Sequence, residues 1–561
     1  MWGASQGVAN ERLALISGLS SRSQNLTFSR ACDLNAAEVP SQMALVDRRI
    51  RLDWSEVKDL SDRLAHTMLE RGFMRPDIAL IHLSNSAEQF LIRLACEKAG
   101  IRIILTNSAF REGELVSIIE RAGPKLAFVS GARAAQGHYD RLRGMLEQKD
   151  IKIEFTTVGE APGVSWGTSY EALLAEGPSE ISQHLLDHTR FGWNERFYLT
   201  TTSGSTSAPK IADTIFGNRT WLSLRHAEGV HLSLGETVAA LPPMTSGTSD
   251  SLVHHAAPYY AATIVIETRF DPIETPRFLV EEGVNVATVV PAMLARMMAQ
   301  GAIDSLADAP IRCFATYAAS ISYELATAVE ERARCGLVRC YGTMDFGGIS
   351  MSTLDDDREV RIRTVGKPFP DNDVRIVDEQ GNDKPRGETG MIVMGPSRLV
   401  MGTGYYRDLT KTIESWNDKF YQLGDLGAFD EQGNIQLVGR GTEMIIRGGQ
   451  NIAPSEVEEL MVTHPKVIDA SVVGMPDEEM GERVCACILL KGDESLELPE
   501  IREHFRALGV ASFKTPELIA VFAEFPVTMS GMKIDKRSIV ELLTREETSE
   551  GLLSLRKLDN C

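Results

Sequence analysis

The chain has 561 residues, 43% of them hydrophobic, which is enough for several cores and, by length, roughly three to four domain-sized units. Its 58 basic and 78 acidic residues give a formal net charge of -20, which argues against nucleic acid or an anionic membrane as a main partner but leaves room for a local basic pocket. The eight scattered cysteines fit no zinc spacing, no apolar run reaches a membrane span and the start lacks a signal peptide's apolar core, so a reduced, cytoplasmic protein is expected.

In chain order, the first 30 residues, rich in Ser, Gly, Asn and Gln, read as a loose extension. Val57, Leu60, Leu64 and Met68 recur at helical spacing, and Ile78 to Leu83 is an apolar run of strand length. Glu88 to Gly100 reads as the next helix, with Ile101 to Leu105 and Pro124 to Gly131 as strands; this βαβα rhythm implies parallel sheets covered by helices. Val284 to Val290 reads as a strand followed by a helix from Pro291, whose Met and Leu stripe is core. After Arg440 the elements shorten. Strands over Ala470 to Met475 and Val484 to Leu490 and a helix over Pro499 to Leu508 describe a small α+β domain of about a hundred residues. The chain after Glu546 reads as a loose tail.

The stretch with the clearest chemistry is Tyr198 to Ile211, YLTTTSGSTSAPKI. Short hydroxyl side chains and unhindered backbone N–H groups, with Gly204 permitting positive φ, can form a donor-rich concavity for phosphoryl oxygens, and Lys210 adds a point charge. It is not a Walker loop, because no second glycine precedes Lys210 and no hydroxyl follows it. Taken alone, such a stretch is more often a flexible surface loop than a nucleotide site.

This stretch resembles the phosphate loop of the adenylate-forming superfamily (acyl- and aryl-CoA synthetases, peptide-synthetase adenylation domains and luciferases), whose usual form is (S/T)SGTTGxPKG. Thr202, Ser203, Gly204, Ser205, Thr206 and Lys210 fall on its positions, while Ser207 and Ile211 replace glycines. TYAASISYEL, from Thr316, stands where the family has TGGAPLSPEL, so Ala318, Ala319 and Ser320 would pack beside adenine and the acyl group; Tyr317 and Ala318 replace glycines. Tyr341-Gly342-Thr343-Met344-Asp345 takes the place of YGxTE. Its tyrosine would stack on adenine, and Asp345, one methylene shorter than Glu, would hold magnesium, through water if not directly.

Gly387 to Asp408 resembles the family's GEL…GYY segment, and YQLGD, Tyr421 to Asp425, resembles YxTGD. That assigns Asp425 to the two ribose hydroxyls, which one carboxylate can accept together. In GRGTEMIIRGGQNIAPSEVEE, Gly439 to Glu459, Arg440 would reach the nucleotide and Thr442 would be the hinge. Gly448, Gly449 and Gln450 would line the pantetheine tunnel, a role compatible with a plain β-turn. The last match, Phe525 to Lys536, resembles PxTxxGK with Met532 inserted, which makes Lys533 the adenylation lysine and Lys536 its fallback.

The resemblance implies an α/β protein. Residues 31–440 would be a large N-terminal domain of helix-covered parallel sheets with a β-barrel-like subdomain, and 441–546 a small mobile α+β C-terminal domain, between an extension (1–30) and a tail (547–561). It implies an ATP-dependent acid–thiol ligase that activates an aryl, cyclic or medium acyl carboxylate as acyl-AMP, releases pyrophosphate and passes the acyl group to CoA. ATP, Mg2+ and coenzyme A are its cofactors, and monomer and homodimer both stay open. Two other readings also stay open: transfer to a carrier-protein phosphopantetheine or an amine, and a nucleotide-binding regulator on a decayed fold, which the motif departures motivate. Thr245 stands where many family members have His at the acyl pocket. The small polar run from Thr245 to Ser251 hints at a hydroxyl, amino or keto group on the acid, or caps a helix starting near Asp250; His254 and His255 read as packing.

Overall fold

The structure, a computed structural model, describes residues 5–20, 25–178, 180–202, 209–317, 321–344, 347–370, 372–395, 404–417, 420–447, 450–477, 480–492, 494–508, 511–528, 533–544 and 552–557. Local chemistry starts the first repeat. Asp53 accepts from the Glu56 backbone N–H while the Glu56 side chain accepts from the Asp53 N–H, a capping box that opens the helix Trp54–Glu70. Its Val57, Leu64 and Met68 are buried in the main core. The strand Ile78–His82 is buried throughout, and the helix Ala87–Ala99 ends at Gly100, φ +73°, where a Cβ would lie 2.5 Å from the Thr189 carbonyl oxygen.

Two large sheets carry the fold, described here for the residues given above. In the first, of eight strands, the order from Arg196–Thr202 through Arg102–Leu105, Ile78–His82, Leu126–Ser130 and Glu154–Val158 to Thr168–Ser169 is parallel. Lys210–Ile215 joins its edge as an antiparallel hairpin with Arg196–Thr202. In the second, of nine strands, Gly336–Thr343, Cys313–Thr316, Val286–Val289, Thr237–Ala240, Thr263–Ile266 and Met43–Val46 are parallel. Such strands are apolar along their length because helices cover both faces. The helix-like stripe after Val290 is the helix Pro291–Ala299, with Leu294 and Met297 buried.

An antiparallel sheet follows, centred on Phe420–Phe429, which pairs with Gly390–Met394 on one side and Ile435–Arg440 on the other. The last sheet is built on Gly481–Leu490, antiparallel to Val467–Asp477 and parallel to Leu518–Phe522. The helices Pro454–Val462 and Leu498–Ala507 cover it and bury Val457, Met461, Ile501 and Phe505 in a core of its own. The mixed α/β class with a large N-terminal and a smaller C-terminal part is as expected from the sequence. Composition misled at the two ends. Gln6–Ser20 is a helix that buries Ile16 and Leu19 in the main core, and Leu552–Lys557 is a strand antiparallel to Leu518–Phe522. Among the described residues no helix is long and apolar enough to cross a membrane.

Candidate active site

Three strands converge on one polar cluster. Tyr341 lies near the carboxyl end of Gly336–Thr343, the edge at which parallel α/β sheets hold ligands. Asp425 comes from the middle of Phe420–Phe429, just after Gly424 at φ +77°, and Arg440 ends the adjoining strand directly opposite Asp425. The Tyr341 hydroxyl donates to Asp425 Oδ2 at 2.6 Å, and Arg440 Nε lies 3.1 Å from Asp425 Oδ1. Burial, and after it the Asp425 carboxylate, push the Tyr341 phenol well up, so Tyr341 stays a donor. Gly342 is required where it stands, because a Cβ there would lie 2.4 Å from the Gly347 carbonyl oxygen across the hairpin.

Lys533 enters the same electrostatic neighbourhood from the small C-terminal part. Its carbonyl accepts from the Thr528 N–H at 2.8 Å, and Val527 pairs with Ile534, which anchors its backbone. Solvent still reaches the residue, yet the protein atoms packed around its ammonium lower its pKa, with Arg440 adding to that and Asp425 and Glu443 opposing it. Lys536 is engaged elsewhere: its Nζ lies 2.7 Å from Glu458 and 3.6 Å from Glu443. The small part also docks on the large one through Ser455, whose hydroxyl donates to the Val438 carbonyl.

The phosphate-loop hairpin is closed by the register pair Thr202 with Lys210. Lys210 Nζ donates to the Tyr405 hydroxyl at 3.2 Å and lies 4.8 Å from that ring's centroid; Tyr405 in turn hydrogen-bonds the Tyr421 hydroxyl at 3.1 Å. Met344 accepts twice, through its carbonyl from Thr200 Oγ1 at 3.3 Å and through its sulfur from the Gly247 N–H at 3.0 Å. Thr343 pairs with Gly347. Ser203, Gly204, Ser205, Thr206, Ala318, Ala319, Ser320, Asp345, Gly448 and Gly449 lie outside the described residues, as do the side chains of Thr202 and Thr442. The antiparallel pair Arg447 with Gln450 brackets Gly448 and Gly449. No group of three or more metal-ligating side chains occurs among the described residues.

Tyr405, Tyr421, Thr200 and Gly247 lie inside stretches the sequence singles out, but their individual contacts could not be read from it, because they depend on strand register. The pairing of Gly404–Tyr405 with Ala212 and Asp213 is what brings Tyr405 over Lys210.

Parallel sheets whose ends meet an antiparallel sheet at a buried Tyr–Asp pair faced by an exposed Arg, with a lysine supplied by a smaller C-terminal part, define a two-domain α/β enzyme class. A model of the AMP-binding enzyme family matches residues 32–406, and one of the AMP-binding enzyme C-terminal domain matches 456–532. The pseudomonine synthase PmsE of Pseudomonas entomophila (strain L48) is 28% identical over 537 residues, covering 92% of this chain and 84% of its own. A mitochondrial medium-chain acyl-CoA ligase of Mus musculus is 28% identical over 555 residues, covering 92% and 87%. Among solved structures, the anthranilate CoA ligase AuaEII in complex with anthranoyl-AMP matches with a TM-score of 0.82 at 18% identity, over 93% of this chain and 98% of that one. The chain belongs to the AMP-binding enzyme family and hence to the adenylate-forming superfamily.

Proposed function

We propose that the protein activates a carboxylic acid with ATP, releases pyrophosphate and passes the acyl group to the thiol of coenzyme A. The observation that carries this reading is the placement of Lys533 within the electrostatic reach of Asp425 and Arg440, while Lys536 is tied to Glu458. A carboxylate is a poor acylating agent because oxide leaves badly, so its oxygen attacks the α-phosphorus and the bond to the β-phosphate bridging oxygen breaks. Positioning and charge neutralisation do most of this work. Asp425 accepts the ribose hydroxyls, Tyr341 stacks on adenine, and Arg440 and Lys210 meet phosphate charge. Lys533 bridges the carboxylate and the α-phosphate, offsetting charge that grows between them.

Asp345 and Thr202, with Ser203 to Thr206, are assigned to magnesium and the polyphosphate; the metal supplies further charge neutralisation when bound. In the second half the thiol attacks the acyl carbonyl and AMP leaves. The Gly448-Gly449-Gln450 hairpin, on a domain of residues 441–546 turning about Thr442, is assigned to the thiol arm. A second acceptor, a carrier phosphopantetheine or an amine, is favoured by the equal 28% identity to a synthase and to a CoA ligase. Seven buried free cysteines among the described residues favour a reducing compartment such as the cytoplasm.

The test is to incubate the pure protein with ATP, magnesium and a carboxylic acid library, with and without CoA, and to read masses. Acyl-CoA formed only with CoA supports the ligase. Acyl-AMP that CoA leaves untouched supports the other acceptors, and no adduct with any acid supports a decayed fold.

A further inference from the structure

Beneath the Tyr341 cluster lies a buried polar relay that adenylation itself does not use. Gly348 stands opposite Gly342, one residue past Tyr341; a Cβ on Gly348 would lie 2.8 Å from Leu222 and 3.1 Å from Phe369. Phe369 in turn meets His226 edge to face at 5.1 Å, and Tyr317 meets His226 at 5.5 Å. A chain of packed neighbours therefore runs from the Tyr341 hairpin through Gly348 and Phe369 to His226, which is 2% exposed.

Three contacts fix how this imidazole is protonated. Ser223 Oγ donates to the Arg219 carbonyl at 2.8 Å, which uses its only proton. Ser251 Oγ lies 3.0 Å from Ser223 Oγ and 2.6 Å from His226 Nδ1. Both contacts hold a proton only if Ser251 donates to Ser223 and His226 Nδ1–H donates to Ser251. Nε2 then carries a lone pair, and it is a buried nitrogen with no hydrogen-bond partner. Ion pairs anchor the turn that carries Ser251. Ser251 sits in the π-helical turn Asp250–Ala256, whose Asp250 is clamped by Arg93 and Arg219, and Arg93 also donates to the Met244 carbonyl at 3.1 Å. Burial keeps His226 neutral, holding its pKa down at about 3.

We propose that His226 Nε2 is a specificity-determining acceptor for a hydroxyl or amino group on an aromatic acid, at the end of the substrate remote from its carboxylate. The flanking rings of Phe369 and Tyr317 suit a planar substrate. A donor is required, so an ether or a bare ring in the same position leaves the nitrogen unpaired and is rejected. This proposal rests on the adenylation reading above.

The test is acid-dependent pyrophosphate exchange with benzoate, the three hydroxybenzoates, the three aminobenzoates and their methoxy counterparts. For at least one position, the hydroxy or amino acid should exceed both its methoxy counterpart and benzoate in kcat/KM by about tenfold or more. H226F should compress that ratio to about threefold or less with the KM for ATP unchanged. H226Q, whose amide oxygen accepts, should restore part of it, and S251A serves if H226F fails to fold. Equal use of benzoate and the hydroxy acids, or a preference that survives H226F or S251A in folded protein, overturns the proposal alone. Exchange with no carboxylic acid at all overturns the adenylation reading and this proposal with it.

Discussion

Tyr341 and Asp425 belong to strands of different sheets, and the 2.6 Å hydrogen bond between them ties the parallel sheet's edge to the antiparallel sheet. Asp425 is 8% exposed and also faces Arg440, so its carboxylate is oriented from two sides. Hydrogen bonds to charged groups contribute about 1.5–3 kcal/mol, so D425A should raise the KM for ATP roughly tenfold to a hundredfold. Y341F, which removes one donor but keeps the ring, should raise it only about three- to tenfold. Titration of AMP by calorimetry checks both, and an unchanged affinity in D425A would remove Asp425 from the nucleotide site.

Lys210 rests on the Tyr405 ring and hydroxyl. If that contact aims the ammonium at phosphate, K210M should lower kcat/KM for ATP by about tenfold or more, whereas Y405F, which keeps the ring, should cost less than about threefold. Steady-state kinetics at saturating acid reads the difference. Equal losses in the two variants would show that Tyr405 itself meets the substrate.

In its proposed role Lys533 offsets phosphoryl charge only when protonated, and its surroundings, burial first, lower its pKa from the ordinary 10.5. Adenylation should therefore be lost as pH rises through the lowered Lys533 pKa, with an alkaline limb below 10.5. Because Arg440 contributes to that lowering, R440M should move the limb upward even as it weakens nucleotide binding. A pH profile of pyrophosphate exchange measures both, and a limb at the ordinary lysine value would place Lys533 in free solvent.

Four buried histidines, His82, His226, His254 and His255, should make the large domain acid-labile. Burial, the first cause in each case, lowers His82, His226 and His255 from 6.5 to about 3. Between those values the unfolded chain binds protons that the native state refuses. Stability is thus complete above about pH 6.5 and falls as pH drops, by about 1.4 kcal/mol per pH unit for each histidine. Urea midpoints at pH 7.5, 6 and 5 should decline, and more shallowly in H82F; a pH-independent midpoint contradicts the assignment.

Much of this architecture is legible in the residues because local chemistry and tertiary structure agree. The helical stripe of Val57, Leu64 and Met68 is the buried face of Trp54–Glu70, and the fully buried Ile78–His82 is a central parallel strand. Asp425 and Arg440 stand out in the sequence as motif residues, but that they are register partners is set by a β-bulge between Leu426 and Gly427 that no periodicity announces. His226 was invisible, being a single histidine in the mixed polar and apolar helix Phe216–Gly229 whose significance depends on Ser251, 25 residues later. The ends were misread because a polar composition hides the few apolar side chains, Ile16 and Leu19, that dock the first helix.

The central claim is that Lys533, gathered with Asp425 and Arg440, forms an acyl adenylate. The most direct test is carboxylate-dependent ATP–pyrophosphate exchange by wild type, K533A and K536A, with circular dichroism to confirm folding. The account predicts exchange in wild type, a loss of about a hundredfold or more in K533A, and a smaller loss in K536A, whose lysine pairs with Glu458. Undiminished exchange in folded K533A, with loss in K536A instead, would contradict it.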